Sequence, residues 1–488
     1  MIAPTLDDLR PLVFALMLLG AALVVFFVDL ALPHGRKRGV GVLTAACMAL
    51  AFAATFVIDA RGTAFGGAYV GTAWGLLFTR IALAAGTLAT LGAIDHVDAH
   101  FPSRQGEYHQ LVLFSVLGMA LLPGARDLLL FVVCFELMGV PLSMLAAYGK
   151  SDGGKSGEHA SRHAAEAGIK LYLVSAASTA ITLFGLSLVV GLSGTTSLAR
   201  IAEAHGSPLF AVGMLMTILG LAFKIGAVPF HFWVPDTYQG ASTPFVAFLS
   251  VAPKASGFAA LAALAGIAFL PARQTLGVIL SLLVVASIAV GNLMALPQKD
   301  VKRMLAFSGI AQVGYVLMGL LAGTELGLGT VLFYLVGYVA TNMGAFLVLE
   351  AVAPDRASVT LEDLEGLWKR SPRLSFAMLL FLLSLAGIPF VVGFWAKLYV
   401  FLAVYEAGYR GLVLFGALMA IVSLWYYLQI ARAMFMGEPK GGSPTVRPAL
   451  AAAIAICLFG VVAIGAWPAP FIESTASAAA ALTSPGGR

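Results

Sequence analysis

Four ionisable side chains stand inside apolar runs, where an isolated charge costs about 2.5 to 3.5 kcal/mol on membrane-insertion scales. Glu136 lies in Phe131-Val-Val-Cys-Phe-Glu136-Leu-Met-Gly-Val-Pro141, and Lys224 in Lys224-Ile-Gly-Ala-Val-Pro229-Phe-His231. Lys254 lies in Ser250-Val-Ala-Pro-Lys254-Ala-Ser-Gly257, and Lys397 closes Ala386-Gly-Ile-Pro389-Phe-Val-Val-Gly393-Phe-Trp-Ala-Lys397. The chemistry open to such a set is proton transfer. Burial disfavours the charged form of either group and an opposite charge nearby restores it, so a change in pairing can make a group take or release a proton. On this reading Glu136 and Lys224 form a switching pair, Lys254 is a relay, and Lys397 connects to a second half-channel. His231 titrates near neutral pH and is a further candidate relay, with the capping of a helix end as its structural alternative. The bland readings of the others are a carboxyl kept neutral by a hydrogen bond for Glu136 and packing or snorkelling for the lysines.

The elements that position these groups follow from composition. The 488 residues are 60% hydrophobic and only 11% charged, against roughly 25% charged in a soluble domain. Runs of about 20 apolar residues, each enough to cross a ~30 Å hydrocarbon core, recur between short polar loops. They predict an all-α integral membrane protein of about fourteen helices in a single membrane domain, 1–488, with no polar stretch long enough to fold alone. The expected spans are 11–33, 39–58, 68–94, 109–123, 127–149, 167–191, 207–232, 242–268, 275–297, 303–322, 328–352, 374–404, 410–436 and 447–471. The first run lacks a small-residue cleavage site and reads as a retained helix. Placing the N-terminus outside puts most Lys and Arg on the cytoplasmic side, so both termini are expected to face the periplasm. An Ala/Gly-rich chain without a transit-like start suits a bacterial inner membrane.

Two of these helices, the seventh and the twelfth, carry an internal Gly and Pro, and proline cannot continue the helical hydrogen-bond ladder. Lys224 precedes the first break and Lys397 follows the second. Broken helices five apart, with the lysine on opposite sides, predict an inverted repeat of two five-helix units, approximately 109–268 and 275–436. Broken helices also leave backbone groups free to hold water. Asp29, Asp59 and Glu350 fall near helix ends and read as anchors, whereas Arg80 has no evident partner.

Several functions are disfavoured. Cys47, Cys134 and Cys457 are scattered in apolar runs without a Cys-x-x-Cys pair, so no iron–sulfur, zinc or disulfide framework is indicated. Gly149-Lys-Ser-Asp-Gly-Gly154-Lys155-Ser156 matches a phosphate-binding loop literally, but it sits between membrane helices and lacks the strand and sheet that give the motif its meaning. His159 and His163 have zinc-like spacing with no third ligand, in a segment from Lys150 to Glu166 that reads as a solvated loop. The net charge of +5 is spread over loops and forms no nucleic-acid face.

The run from Lys224 through His231-Phe-Trp233-Val-Pro235-Asp236-Thr-Tyr-Gln-Gly-Ala-Ser-Thr-Pro244 to Lys254 resembles the signature of the antiporter-like subunits of respiratory complex I. Ser384-Leu-Ala-Gly-Ile-Pro389 through Lys397 is similar to the second-half signature, and Trp425-Tyr426-Tyr427 narrows the likeness to one branch of that family. Gln239 and Ser242 depart from it, standing where Glu and Pro are expected. The resemblance implies a proton-translocating subunit of an NADH:quinone oxidoreductase, with Glu136, Lys224, Lys254 and Lys397 on the proton path. It also implies a hetero-oligomer with other membrane subunits, including a neighbouring antiporter-like one, surrounded by lipid. This chain is expected to hold no cofactor or metal, with flavin, iron–sulfur clusters and quinone belonging to partner subunits. The rival readings are a multisubunit monovalent cation/proton antiporter, a membrane hydrogenase subunit, and a purely structural scaffold.

Overall fold

The computed structural model describes residues 9–33, 37–149, 158–203, 207–354 and 356–483. Eleven of its helices are long and apolar enough to cross a membrane. In chain order the first are α1 (Val13–Ala31), α2 (Arg38–Ala54), α3 (Ala73–His100), α4 (Gln105–Leu121), α5 (Leu128–Ala146) and α6 (Glu158–Ser193). The seventh pass is split into α7 (Pro208–Ile225) and α8 (Trp233–Gly240), and the eighth into α9 (Thr243–Leu249) and α10 (Ala252–Ala263). Next come α11 (Arg273–Ala295), α12 (Val301–Ala322), α13 (Glu325–Val352), the split pair α14 (Pro372–Ala386) and α15 (Val392–Glu406), α16 (Arg410–Met436) and α17 (Pro448–Ala466). The shorter α2 and α4 and the α14–α15 pair stand between the eleven long helices, at the places where composition and hydropathy predict the remaining three of about fourteen passes.

Both predicted breaks are present and are built alike. α7 ends at Gly226, at φ +76°, and α14 ends at Gly387, at φ +85°. This left-handed cap is the conformation glycine adopts without steric penalty. Pro229 and Pro389 follow and prevent the helix from resuming at once. The Trp233 indole of the second half-helix then donates to the Phe223 carbonyl of the first, satisfying one of the acceptors the break exposes.

Four expectations are corrected. The third helix begins at Ala73 instead of 68, because Gly66 and Gly67 turn the chain into a hairpin of β1 (Gly62–Ala64) and β2 (Tyr69–Gly71), after which Thr72 caps α3 by accepting from the Gly75 amide. The eighth helix is interrupted at Ser250–Val251, where Pro253 removes the hydrogen bond that would have reached back to Leu249. Helix six starts at Glu158 instead of 167, so much of the segment read as a solvated loop is helical; most of the phosphate-loop match, Lys150 to Ser156, lies outside the described residues. The last predicted span ends early at Ala466, and Pro468 opens a further helix, α18 (Ala469–Thr483), that packs on α13 and α3.

α12 and the α9–α10 pass are buried along their whole length and α13 nearly so, whereas α1, α6 and α16 turn much of their surface outward. The outward faces carry Phe26, Leu173, Leu414 and Trp425, the composition of a lipid-facing surface. Arg80, whose partner sequence could not name, donates to the Thr55 hydroxyl at 3.1 Å and carbonyl at 2.7 Å and covers the Phe56 ring. Of the three acids read as anchors, Asp59 pairs with Arg10 near the surface and Asp29 with Lys37, but Glu350 is buried against His96.

Candidate functional site

Lys224 occupies the last turn of α7, at the negative end of a half-helix dipole, and is 6% exposed. Its ammonium lies 4.6 Å from the centre of the Phe135 ring of α5. One turn along, a Cβ at Gly139 would fall 2.3 Å from the Lys224 Nζ, so glycine at this position makes room for the ammonium. Glu136, between Phe135 and Gly139, accepts a 2.7 Å hydrogen bond from Thr179 of α6 and lies close enough for its charge to act on Lys224. The acid and lysine are thus neighbours, with Thr179 holding the acid. Gly139→Ala puts its methyl where the flexible end of Lys224 now sits, so the ammonium moves while the backbone stays. The expected result is normal assembly with proton translocation reduced severalfold, checked by dye quenching in reconstituted vesicles; unchanged translocation would show that the ammonium's position is immaterial.

Lys254 is 1% exposed, directly after the interruption of the eighth pass. Its Nζ donates to the Gly309 carbonyl of α12 at 3.3 Å, with the Tyr238 and Tyr338 rings 5.7 and 6.0 Å away. The α10 and α7 passes meet tightly at Gly257, where a Cβ would lie 2.6 Å from the Ile225 side chain. Lys397 reaches back across the second break, donating to the Leu385 and Ala386 carbonyls at 2.9 and 3.0 Å beneath the Tyr315 ring. These are the freed acceptors at the C-terminal end of α14. Lys224 and Lys397 therefore share one electrostatic setting, the carboxyl end of a half-helix, entered from opposite sides of the break.

A hydrogen-bonded bridge joins the neighbourhoods of Lys254 and Lys397. Ser308, adjacent to Gly309, is 2.5 Å from the Tyr427 hydroxyl; Gln312 donates to that hydroxyl at 3.2 Å and to the Leu385 carbonyl at 3.1 Å. Tyr334 donates to the Gln312 carbonyl oxygen. Gln312 and Lys397 thus share one acceptor. Sequence reading missed Thr179, Ser308, Gln312, Tyr334 and Tyr427, although polar residues three or four apart within an apolar helix, as Ser308, Gln312 and Tyr315 are, give a signal of a polar face. It also missed Lys302, placed in a loop by hydropathy. Lys302 is in fact fully buried and donates to the Ala241 carbonyl at 2.8 Å.

His231 lies in the first break against Phe232, with the Pro229 backbone as its polar neighbour. No hydrogen bond joins it to the lysines among the described residues. Gln239, one of the departures from the family pattern, accepts from Arg303 at 3.1 Å and donates toward Asp300 at 3.4 Å. Asp236, also in α8, pairs with Lys170 and Arg303 at 2.8 Å each. No cluster of three or more metal-ligating side chains occurs among the described residues.

The family model of the NADH:quinone oxidoreductase/Mrp antiporter membrane region matches residues 125–423. Over 464 residues the chain is 39% identical to NADH-quinone oxidoreductase subunit N of Moorella thermoacetica, covering 93% of this chain and 95% of that one. The chain belongs to the subunit N family of NADH-quinone oxidoreductases. The subunit N relative from Desulforamulus reducens is 37% identical, over 94% of this chain and 95% of that one. Among solved structures, a chain of respiratory complex I from Thermus thermophilus with bound aureothin superimposes with a TM-score of 0.82 at 33% identity, covering 95% of this chain and 99% of that one. A chain of the Mrp complex from Dietzia sp. DQ12-45-1b, at 23% identity and a TM-score of 0.86 over 99% of this chain and 98% of that one, shares the fold. As a member of the subunit N family the chain is a multi-pass, proton-translocating membrane subunit.

Proposed function

We propose that this chain carries protons across a bacterial inner membrane through Glu136, Lys224, Lys254 and Lys397, driven by quinone reduction in partner subunits of the same complex. The observation that carries the reading is the bridge from Gly309 and Ser308 through Tyr427, Gln312 and the Leu385 carbonyl to Lys397, which continues the row of buried lysines into the second broken helix. Protonation of Lys224 depends on Glu136, and a change that separates them pushes a proton toward Lys254. The polar side chains of the bridge line the route by which the proton then reaches Lys397, whose release completes the transfer. The two halves of the path fall in the repeats 109–268 and 275–436. His231 stands outside the row and has no role in this scheme. Flavin, iron–sulfur clusters and quinone belong to partner chains, and this chain converts the energy of the redox step without performing it. Both termini face the periplasm, and membrane lipid covers the outward faces of α1, α6 and α16.

The test is to extract the chain from its native membrane in mild detergent, identify the co-purifying subunits by mass spectrometry, and assay NADH:quinone reductase activity and proton uptake in the same reconstituted fraction. Flavin- and iron–sulfur-bearing partners together with coupled proton movement are expected. Co-purification of small membrane subunits alone, with sodium- or potassium-dependent proton exchange and no redox activity, would replace this reading with that of a cation/proton antiporter.

A further inference from the structure

Tyr338, Asn342, Phe346 and Glu350 are spaced four apart on α13 and so share one helix face over about 18 Å. The upper end of this face touches the proton path: the Tyr338 hydroxyl and the Lys254 Nζ lie together beside Gly309, each 3.0 Å from where its Cβ would be. Below them, Asn342 donates to the Ser250 hydroxyl at 2.8 Å, at the interruption of the eighth pass, and Phe346 meets the Tyr238 ring edge-on. At the lower end Glu350 is 3% exposed, and its Oε1 lies 3.1 Å from the Nδ1 of His96 on α3.

Along this face, the Tyr338 and Tyr238 hydroxyls, the Asn342 carbonyl oxygen and the Glu350 Oε2 are buried and meet no hydrogen-bonding side chain or backbone group. Buried polar atoms are almost always satisfied, and a run of them along one seam is the setting in which ordered water supplies the missing bonds. The seam has an opening. His96, stacked on His100 at 4.4 Å, lines a cavity of about 50 Å³ at the ends of the helices, together with Gly240, Ala241, Ser242 and Arg356. Near Glu350 are Lys302 of α12, with Asp300 two residues before it, and the buried Tyr108 side chain of α4.

We propose that Glu350 and His96 form the proton-loading site of Lys254, at the mouth of a hydrated seam that runs along one face of α13. A proton taken up at His96 Nε2 from the cavity releases the Nδ1 proton to the Glu350 carboxylate. Glu350 then gives its proton to water in the seam, which carries it past Asn342 and Tyr238 to Lys254. Lys302, fully buried and held by the Ala241 carbonyl on the cavity wall, ties α12 to the mouth of the seam. The third pass, outside both five-helix repeats, thus contributes a side chain to the path.

The inference rests on the lysine path proposed above, and the two fail differently. In the assembled complex, Glu350→Gln and His96→Phe are expected to lower proton translocation at least about tenfold and as much as the 10²–10⁴-fold that a positioned proton-transfer group contributes, and Glu350→Asp to restore part of it. Lys254→Ala is the control: wild-type translocation by that variant would remove the lysine path itself. If Lys254→Ala is inactive while Glu350→Gln translocates normally, the path stands and the loading site is wrong. A second measurement serves where Glu350→Gln does not assemble. In a chain with Cys47, Cys134 and Cys457 replaced, Asn342→Cys is treated with a small water-soluble thiol reagent. Labelling at a rate well above that of Leu317→Cys, buried on α12 about two turns beyond Gly309, is expected; failure to label means the seam is dry and overturns the proposal.

Discussion

Replacing Lys224 by Met stops proton translocation by the assembled complex, a fall of at least about tenfold and as much as the 10²–10⁴-fold typical of a lost proton-transfer group. The methionine keeps the volume of the chain that fills the space beside Phe135 and Gly139, so the packing survives and only the ammonium is lost. Glu136 is left with Thr179 alone, a single hydrogen bond in place of a hydrogen bond and a nearby positive charge. Glu136→Gln keeps the Thr179 contact and removes the charge, and it is expected to show a similar loss. Because the two act as a unit, the double variant should be little worse than either single one. The measurement is the initial rate of dye quenching in vesicles, with electron transfer to an artificial acceptor as the check on assembly. A Lys224→Met complex that pumps at the wild-type rate would remove the switching pair from the mechanism.

The second large effect is structural, and it lies at the other break. A Cβ at Gly393 would come 1.8 Å from the carbonyl oxygen and 2.6 Å from the carbonyl carbon of Ser384, both backbone atoms that cannot swing aside. The Gly393 amide also donates to the Ser384 hydroxyl at 3.2 Å, and that hydroxyl is 2.9 Å from Thr341 of α13. Gly393→Ala therefore forces α15 away from α14, breaks this contact, and takes Lys397 off the Leu385 and Ala386 carbonyls. Overpacking of this kind costs roughly 3 kcal/mol or more when the obstacle is backbone. The expected result is a severe loss of assembled subunit on native gels and a lowered thermal midpoint. Gly411→Ala, at the start of α16 with nothing within 4 Å of its Cβ, should leave both unchanged or slightly improved. Comparable assembly of the two variants would mean that the half-helices are not packed as described.

How much of this was legible in the sequence depends on the range of the signal. The eleven long helices follow from hydropathy, because each helix in lipid must satisfy its own backbone and so must be long and apolar by itself. The breaks in the seventh and twelfth passes were equally local, since Gly226, Pro229, Gly387 and Pro389 dictate them without help from neighbours. The interruption at Ser250–Val251 follows from Pro253, yet a continuous apolar run concealed it. The hairpin before α3 was missed because the run from Tyr69 onward continues hydropathically into the helix, while the two turn glycines that stop it precede it.

The candidate site divides the same way. Glu136, Lys224, Lys254 and Lys397 could be singled out because a charge inside an apolar run is costly wherever the run ends up. That Lys224 and Lys397 share the carboxyl end of a half-helix, that Gly139 leaves room for an ammonium, and that Tyr427 and Gln312 bridge toward Lys397 could not be read in this way. These contacts join residues as far as 119 positions apart, and a serine, tyrosine or glutamine in an apolar helix looks the same whether it faces a partner or simply packs. Glu350 and Lys302 show the limit most clearly. Hydropathy put both near helix ends, where water normally lies, and only the closing of α3, α4 and α12 around them made those ends interior. The sequence alone determined which segments enter the membrane and which charges must be accounted for there, through the local cost of exposing polar groups to lipid; the tertiary structure decided which of those charges meet, because that depends on the packing of distant helices.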